Sequence, residues 1–369
     1  MSRANGRLRV AMTLEQCWHR VPGGTGVAGI GMARTLASRG DVDLLGVSAR
    51  HSSPPRPEWR PHVPVVSLPL PRVVLYEAWH LLRRPSVERA TGHVDIVHAT
   101  TLAIPPRSAP LVVTIHDLAF LHQPSHFTRR GRSFFRRGLD LARKDADLVL
   151  CPSETTAQDC RRHGFDKSRL RVVPMGIDRP EATESEIEAA RDRYRLRRPY
   201  LLWTGTIEPR KNLTRLVEAF AALDHDLDLA LVGPSGWNED LDRLLAGMRD
   251  RIRILGFVPE RELAALYGGA TVFCFPSLLE GFGFPVLEAM AQGTPVVTSS
   301  GTSTEEIAGG AAVLVDPRDT DSIADGIRSV LNDESLARKL SEAGPQRAAR
   351  FTWERTAEEL VKIYREVAA

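Results

Sequence analysis

At 369 residues the chain is longer than a single hydrophobic core usually serves, which predicts two compact domains. Its 43% hydrophobic and 26% charged residues exclude wholesale disorder and a fibrous fold. The net charge of +3 hides a division: residues 1–180 carry 27 basic and 15 acidic residues, and the remainder carries 22 and 31.

In chain order, short apolar runs alternate with amphipathic stretches, the pattern of parallel strands joined by crossover helices. The first half offers strands at Leu8 to Thr13, Val42 to Ser48, Ile96 to Ala99, Leu111 to Ile115, Leu148 to Cys151 and Arg171 to Val173. The second offers Tyr200 to Thr204, Leu229 to Gly233, Ile252 to Leu255, Val272 to Phe275, Val296 to Ser299 and Ala311 to Val315. Between the halves, Asp178 to Arg198 is rich in charge and contains Pro180, so a linker and a short charged helix belong there. The expected division is an N-terminal domain over 1–178, a C-terminal domain over 179–349 and a last helix over 350–369. Both domains are α/β and Rossmann-like. No repeat of 20 to 50 residues appears, which excludes a solenoid.

Cys17, Cys151, Cys160 and Cys274 lack C-x-x-C spacing and read as reduced packing residues. No apolar run approaches the roughly 18 to 20 residues of a membrane span, and the start MSRANGRLRVAM lacks a signal-peptide core, so a cytosolic location is expected.

Gly24, Gly26 and Gly29 match the dinucleotide fingerprint G-x-G-x-x-G, and Arg50 stands where a 2′-phosphate ligand would. That fingerprint needs its first glycine directly after the first strand, whereas Leu14 to Gly23 intervene here, which argues against a dinucleotide oxidoreductase. What remains is a glycine-rich loop, Pro22 to Gly26, opening a helix, either an approach surface for a phosphate or sugar or a plain turn.

The richest segment runs from Pro276 to Met290 after an apolar strand. Pro285 is a natural first helical residue, so Gly281, Phe282, Gly283 and Phe284 present backbone donors at a helix N-terminus, an anion seat. Glu280 and Glu288 flank it, and carboxylates accept the hydroxyls of a sugar or ribose. The second segment, Thr204 to Leu213, follows a strand and offers Arg210 and Lys211 at the carboxyl edge of the sheet, with Asn212 able to cap the next helix. Fixed cations there would stabilise a departing diphosphate more than its ground state; alone, the pair reads as an exposed basic loop. Four Asp-x-Asp pairs (Asp41/Asp43, Asp145/Asp147, Asp226/Asp228, Asp319/Asp321) could hold a divalent ion, but their number argues for chance.

Together, Glu280-x7-Glu288, the G-T-x-x-P-R-K-N run at 205–212 and the Gly256-Phe-Val-Pro turn resemble the retaining glycosyltransferases of the GT-B fold, family four. The resemblance covers nearly the whole chain, with Pro22-Gly23-Gly24 and His116-Asp117 at the family's acceptor loop and active-site histidine. It implies two Rossmann-like domains facing across a cleft and a nucleotide diphosphate sugar as donor, with GDP-mannose preferred. By that resemblance Arg210 and Lys211 hold the diphosphate, Glu288 the ribose and Glu280 a sugar hydroxyl. Gly205, Thr206 and the 281–284 amides add donor contacts, Gly256, Phe257 and Val258 border the base, and His116 lies under the transferring sugar. Gly23, Gly24, Thr25 and Asp117 form the acceptor or phosphate loop. No metal or cofactor is implied, and no nucleic acid.

The family's use of lipid-linked acceptors draws in two basic amphipathic stretches, Arg72 to Arg89 and Arg129 to Lys144, as helices for an anionic membrane or simply packed on the sheet. The resemblance also implies that the last helix crosses back to the first domain, with Phe351 and Trp353 at the hinge. An epimerase or a silent binding subunit on the same frame are the alternatives.

Overall fold

The structure is a computed structural model that describes residues 7–178, 180–234, 248 and 250–369. Two compact units emerge: residues 1–176 with 352–369, and residues 177–351.

Among the described residues the first unit is built on a seven-stranded parallel sheet, in the order β3-β2-β1-β4-β5-β6-β7. Its strands are β1 (Leu8–Thr13), β2 (Val42–Ser48), β3 (Val65–Ser67), β4 (Ile96–Ala99), β5 (Leu111–Thr114), β6 (Leu148–Cys151) and β7 (Leu170–Val172). β4, β5 and β6 are buried at every residue, as strands covered on both faces must be. That places His98 inside the sheet, where Tyr364 Oη lies 2.7 Å from Nδ1 and Thr114 Oγ1 lies 2.8 Å from Nε2. Burial pushes this imidazole down to about 3, so it is neutral.

The last helix, Trp353–Ala368, belongs to this unit. Thr352 caps it by accepting from Arg355 N at 3.3 Å, and Thr356 Oγ1 donates to Pro174 O at 2.8 Å. Trp353 is buried against Gly31 of the helix Gly23–Ala37, where a Cβ would stand 2.3 Å from the indole. Phe351 belongs to the second unit, 5.9 Å from the Phe282 ring, so the two aromatics anchor different units.

The second unit carries a six-stranded parallel sheet among the described residues, ordered β10-β9-β8-β11-β12-β13. Its strands are β8 (Tyr200–Thr204), β9 (Asp228–Val232), β10 (Ile252–Gly256), β11 (Val272–Phe275), β12 (Val296–Ser299) and β13 (Val313–Val315). Chain entry is fixed by the helix Glu184–Arg193, whose capping box pairs Thr183 with Glu186.

Twelve expected strands form, with ends that agree or move by one or two residues. β3 was not expected: two half-exposed valines and an exposed serine at a sheet edge make too short an apolar signal. The stretch 72–89 is not one helix. An α-helix covers Arg72–Glu77, a π-turn covers Ala78–Leu82, and Arg83 at φ 52 ends the run just before Pro85. The helix Arg129–Asp145 forms as expected, with Thr128 accepting from Gly131 N. All four cysteines are buried and unpaired. No helix among the described residues is long and apolar enough to cross a membrane.

Candidate active site

In the second sheet the strand order reverses between β8 and β11, which are direct neighbours although β9 and β10 intervene in sequence. The loops leaving their carboxyl ends diverge to opposite sides, and ligands of open α/β sheets bind in the crevice so formed. After β8, Gly205 (φ 151) donates its N–H to Val232 O at 2.9 Å, Thr206 is half-buried, and the chain makes a 3-10 turn over Pro209–Lys211. After β11 come residues 276–283 and then the helix Phe284–Ala291. The two loops are tied by Leu278 N donating to Arg210 O at 2.8 Å.

Asn212 does not cap the helix Leu213–Ala221. It sits at φ 60, outside the extended geometry a cap needs, and its Nδ2 donates to Pro276 O at 2.9 Å and Pro317 O at 2.6 Å. It joins the loops instead.

That join brings four charges together. Lys211 Nζ lies 2.6 Å from Glu280 Oε1 and 4.8 Å from the centroid of the Phe275 ring. Arg210 Nη1 is 3.1 Å from Glu280 Oε2 and donates to Leu279 O at 3.2 Å, while Nη2 is 2.7 Å from Glu208 Oε1. The side chains of Lys211, Glu280 and Glu208 are only 9%, 8% and 6% exposed, so these pairs are little screened by water. Burial by itself would push the Glu280 carboxyl up; Arg210 and Lys211 outweigh it and hold the group below its ordinary value.

The helix after β11 begins one residue earlier than expected. The helix starts at Phe284, with Pro285 second and Gly283 (φ 125) at the N-cap. Only glycine adopts that φ without strain, and a Cβ there would press on Thr304 Cγ2 at 3.1 Å. Ser303 Oγ donates to Glu280 O at 2.7 Å, fixing the loop from β12's side. Gly281 and Phe282 are buried, and Phe282 packs edge-on against Phe284 at 5.1 Å.

Glu288, half-buried on the same helix, accepts from Tyr267 Oη at 3.0 Å, and Tyr267 Oη is 2.7 Å from Thr204 Oγ1. Burial first, then the nearby Glu260 and Asp178, push its carboxyl up to about 7 against the pull of Tyr267. Gly256 (φ 67) accepts from Gly233 N at 2.8 Å; Phe257 is 63% exposed and Val258 is buried.

The remaining expected residues stand in the first unit. Gly23, Gly24 and Thr25 are not a loop but the first turn of the helix Gly23–Ala37, with the glycines exposed and Thr25 Oγ1 donating to Pro22 O at 3.0 Å. His116 follows β5 and its Nε2 lies 3.0 Å from Thr100 O. A carbonyl can only accept, so Nε2 carries the hydrogen and Nδ1 keeps its lone pair. Desolvation pulls this imidazole below its ordinary value against Asp117 and the Thr100 bond. Asp117 Oδ1 accepts from Ala119 N at 3.0 Å.

The Asp-x-Asp pairs have structural work. Asp145 pairs with Arg83, Asp147 with Arg107 and Asp41 with Arg39, and Asp319 caps the helix Thr320–Asn332. No three His, Cys, Asp or Glu among the described residues gather as metal ligands. Sequence reasoning gave no role to Glu208, Ser303 or Tyr267; Glu208 meets Arg210 within one loop, whereas Ser303 beside Glu280 and Tyr267 beside Glu288 are brought there by tertiary packing that no local pattern encodes.

Two family models match: "Glycosyltransferase Family 4" over residues 22–180 and "Glycosyl transferases group 1" over 186–347. O-antigen chain mannosyltransferase B of Escherichia coli is 31% identical over 305 residues, covering 79% of this chain and 80% of its own. D-inositol 3-phosphate glycosyltransferase of Geodermatophilus obscurus is 33% identical over 387 residues, 93% of this chain and 84% of its own. Among solved structures, HepE of Anabaena in complex with UDP and glucose matches with a TM-score of 0.78 at 18% identity, covering 98% of this chain and all of that one.

Proposed function

The chain belongs to the family 4 glycosyltransferases of the GT-B fold, and we propose that it moves a hexose, mannose from GDP-mannose by preference, onto a hydroxyl of a glycan or lipid-linked acceptor in the cytosol. The transfer retains anomeric configuration and uses no metal ion. One observation carries this reading: Arg210 and Lys211 converge on Glu280 at the adjoining ends of β8 and β11, beside the backbone donors of 281–284.

As the bond from sugar to diphosphate breaks, charge grows on the leaving group. Arg210 and Lys211, held in a poorly screened site, stabilise that charge without reorganising, which is the service a metal ion provides elsewhere. Glu280 accepts a hydroxyl of the sugar and Glu288 those of the ribose, with Gly205 and Thr206 along the phosphates and Gly256 to Val258 along the base. His116, neutral and with Nδ1 as acceptor, is assigned to a donor hydroxyl and to the positive charge developing at the anomeric carbon. The acceptor's proton leaves on the departing phosphate oxygen, so the protein orients and stabilises. Mannose is favoured by the O-antigen mannosyltransferase among the relatives.

A lipid-linked acceptor is supported by one surface of the first unit. Val73, Val74, Leu81 and Leu82 are 49%, 52%, 62% and 72% exposed. The basic helix Arg129–Asp145 joins them through Arg137 on Glu77 at 2.7 Å and Phe134 on Tyr76 at 5.5 Å. Apolar side chains beside arginines suit an anionic membrane face. Cosedimentation with anionic vesicles tests it; no salt-sensitive binding removes it.

The donor is tested by a thermal-shift panel of GDP-, UDP- and dTDP-sugars, since a ligand of the native state at a hundred times its Kd adds about 2.7 kcal/mol. Lys211→Ala and Glu280→Ala each cut turnover about a hundredfold. Near wild-type rates in either reject the site, and product formed without acceptor indicates an epimerase.

A further inference from the structure

Tyr267 lies on the helix Glu260–Gly268 and is 1% exposed. Its ring meets Phe273 edge-on at 5.3 Å, and its carbonyl accepts from Thr294 Oγ1 at 2.6 Å, so ring and backbone are both fixed. A phenol has one hydrogen to donate. Given to the ionised Glu288, which only accepts, it leaves Tyr267 Oη as the acceptor for Thr204 Oγ1, and the two bonds form a directed chain from Thr204 to Tyr267 to Glu288. Among the described residues that chain reaches Oε2 alone; no hydrogen bond is made to Oε1. Thr204 is also the residue from which the 205–211 run departs, so the chain ties Glu288 to the start of the phosphate-binding segment.

We infer that Tyr267 is a positioning residue for the donor: backed by Thr204, it holds Glu288 Oε2 so that Oε1 is presented to the ribose diol of the nucleotide. This rests on reading Glu288 as the ribose ligand. The charged groups facing Glu288 are Glu260 and Asp178, both acidic, and only the Tyr267 hydrogen bond favours the carboxylate against them. Losing that bond raises the pH needed for ribose binding.

The test uses the full chain with GDP or UDP, whichever binds in the thermal-shift panel, and the 2′,3′-dideoxy form of the same nucleotide, by calorimetric titration. Tyr267→Phe keeps the ring and loses the hydroxyl. It weakens the ribonucleotide about tenfold, the order for one hydrogen bond to a charged acceptor. It leaves the dideoxy form within about twofold of wild type, and shifts the pH midpoint of ribonucleotide binding upward. Thr204→Val acts in the same direction and more weakly, and stands in should Tyr267→Phe fail to fold. Wild-type affinity and pH profile in Tyr267→Phe, or equal losses for both nucleotides, overturn the inference. Glu288→Gln separates the levels. If it distinguishes the two nucleotides as well as wild type does, the ribose assignment fails and takes the inference with it. If it loses the distinction while Tyr267→Phe keeps it, only the role of Tyr267 fails.

Discussion

Glu208, Arg210, Lys211 and Glu280 cancel in pairs, and Glu280→Gln removes one negative charge while keeping shape and an acceptor. Of the two carboxylates paired with these cations, Glu208 then remains. Neutralising one partner of a buried pair costs about 3–5 kcal/mol. Arg210 keeps Glu208 and Leu279 O, which places the cost at the low end, about 3 kcal/mol. For a unit of this size each kcal/mol moves the melting temperature by about 2–4 °C, so Tm falls by about 6–12 °C. Because the folded carboxyl sits below its ordinary 4.5, Glu280 contributes stability above that pH and loses it as the pH falls through the folded pKa. The gap between wild type and variant therefore closes in acid. A nucleoside diphosphate supplies the missing negative charge, so GDP or UDP recovers more Tm in the variant than in wild type and binds at least as tightly. Turnover with the sugar nucleotide still falls about a hundredfold, because the contact proposed between Glu280 and the sugar is lost. Thermal scans with and without nucleotide, calorimetric titration and an initial-rate assay measure these separately. A variant that melts with wild type, or that loses nucleotide affinity in step with kcat/KM, refutes the reasoning.

Glu288→Gln behaves oppositely in stability. With the native carboxyl pushed up to about 7 from an ordinary 4.5, ionisation penalises the native state progressively between those values, so the variant melts above wild type at pH 8 and level with it near pH 4, while nucleotide binding weakens. Gly233→Ala, at φ 137 with its Cβ 1.9 Å from Gly205 O, costs on the order of 2–4 kcal/mol and displaces the start of the 205–211 run; an unchanged denaturation midpoint contradicts this. Removing residues 351–369 strips Trp353 from Gly31 and Tyr364 from His98, and the shortened chain melts earlier with activity lost. Unchanged melting and activity sink that expectation.

The sheets were legible because strands covered on both faces must be continuously apolar, as in Leu111–Thr114 and Val272–Phe275, and their lengths follow from the turn residues at each end. Legibility failed where a signal was short or two-sided. Val65–Ser67 is only three residues, and the apolar period of 72–89 continues past the point where Arg83 and Pro85 end the helix. In the site, Arg210, Lys211 and Glu280 could be singled out because charge in the loop after a strand needs an explanation, and Glu288 because its spacing from Glu280 puts a second acid near the start of the following helix. Tyr267 could not: an aromatic on an amphipathic helix reads as core, and here it is core, with a hydroxyl whose partners are set by the neighbouring strand. Asn212 was visible as polar but not its aim, which depends on the left-handed backbone at that residue.

The same topology appears twice with different chemistry at the reversal. In the second sheet Lys211 and Glu280, 69 residues apart, meet at 2.6 Å because β8 and β11 are neighbours. In the first, β1 and β4 are neighbours, and Thr13 and Thr100, 87 apart, meet at 3.3 Å between hydroxyls. Gln16 Nε2 donates to Thr100 Oγ1 at 2.9 Å, and the neutral His116 lies on Thr100 O. The reversal in the second sheet carries fixed cations beside a helix N-terminus, groups of the kind that recognise a diphosphate. The reversal in the first carries hydroxyls, an amide and an imidazole, groups that exchange hydrogen bonds with uncharged hydroxyls. Under the proposed function, the two reversals divide the demands of glycosyl transfer, an anion to be released and hydroxyls to be oriented, by what stands at four strand ends.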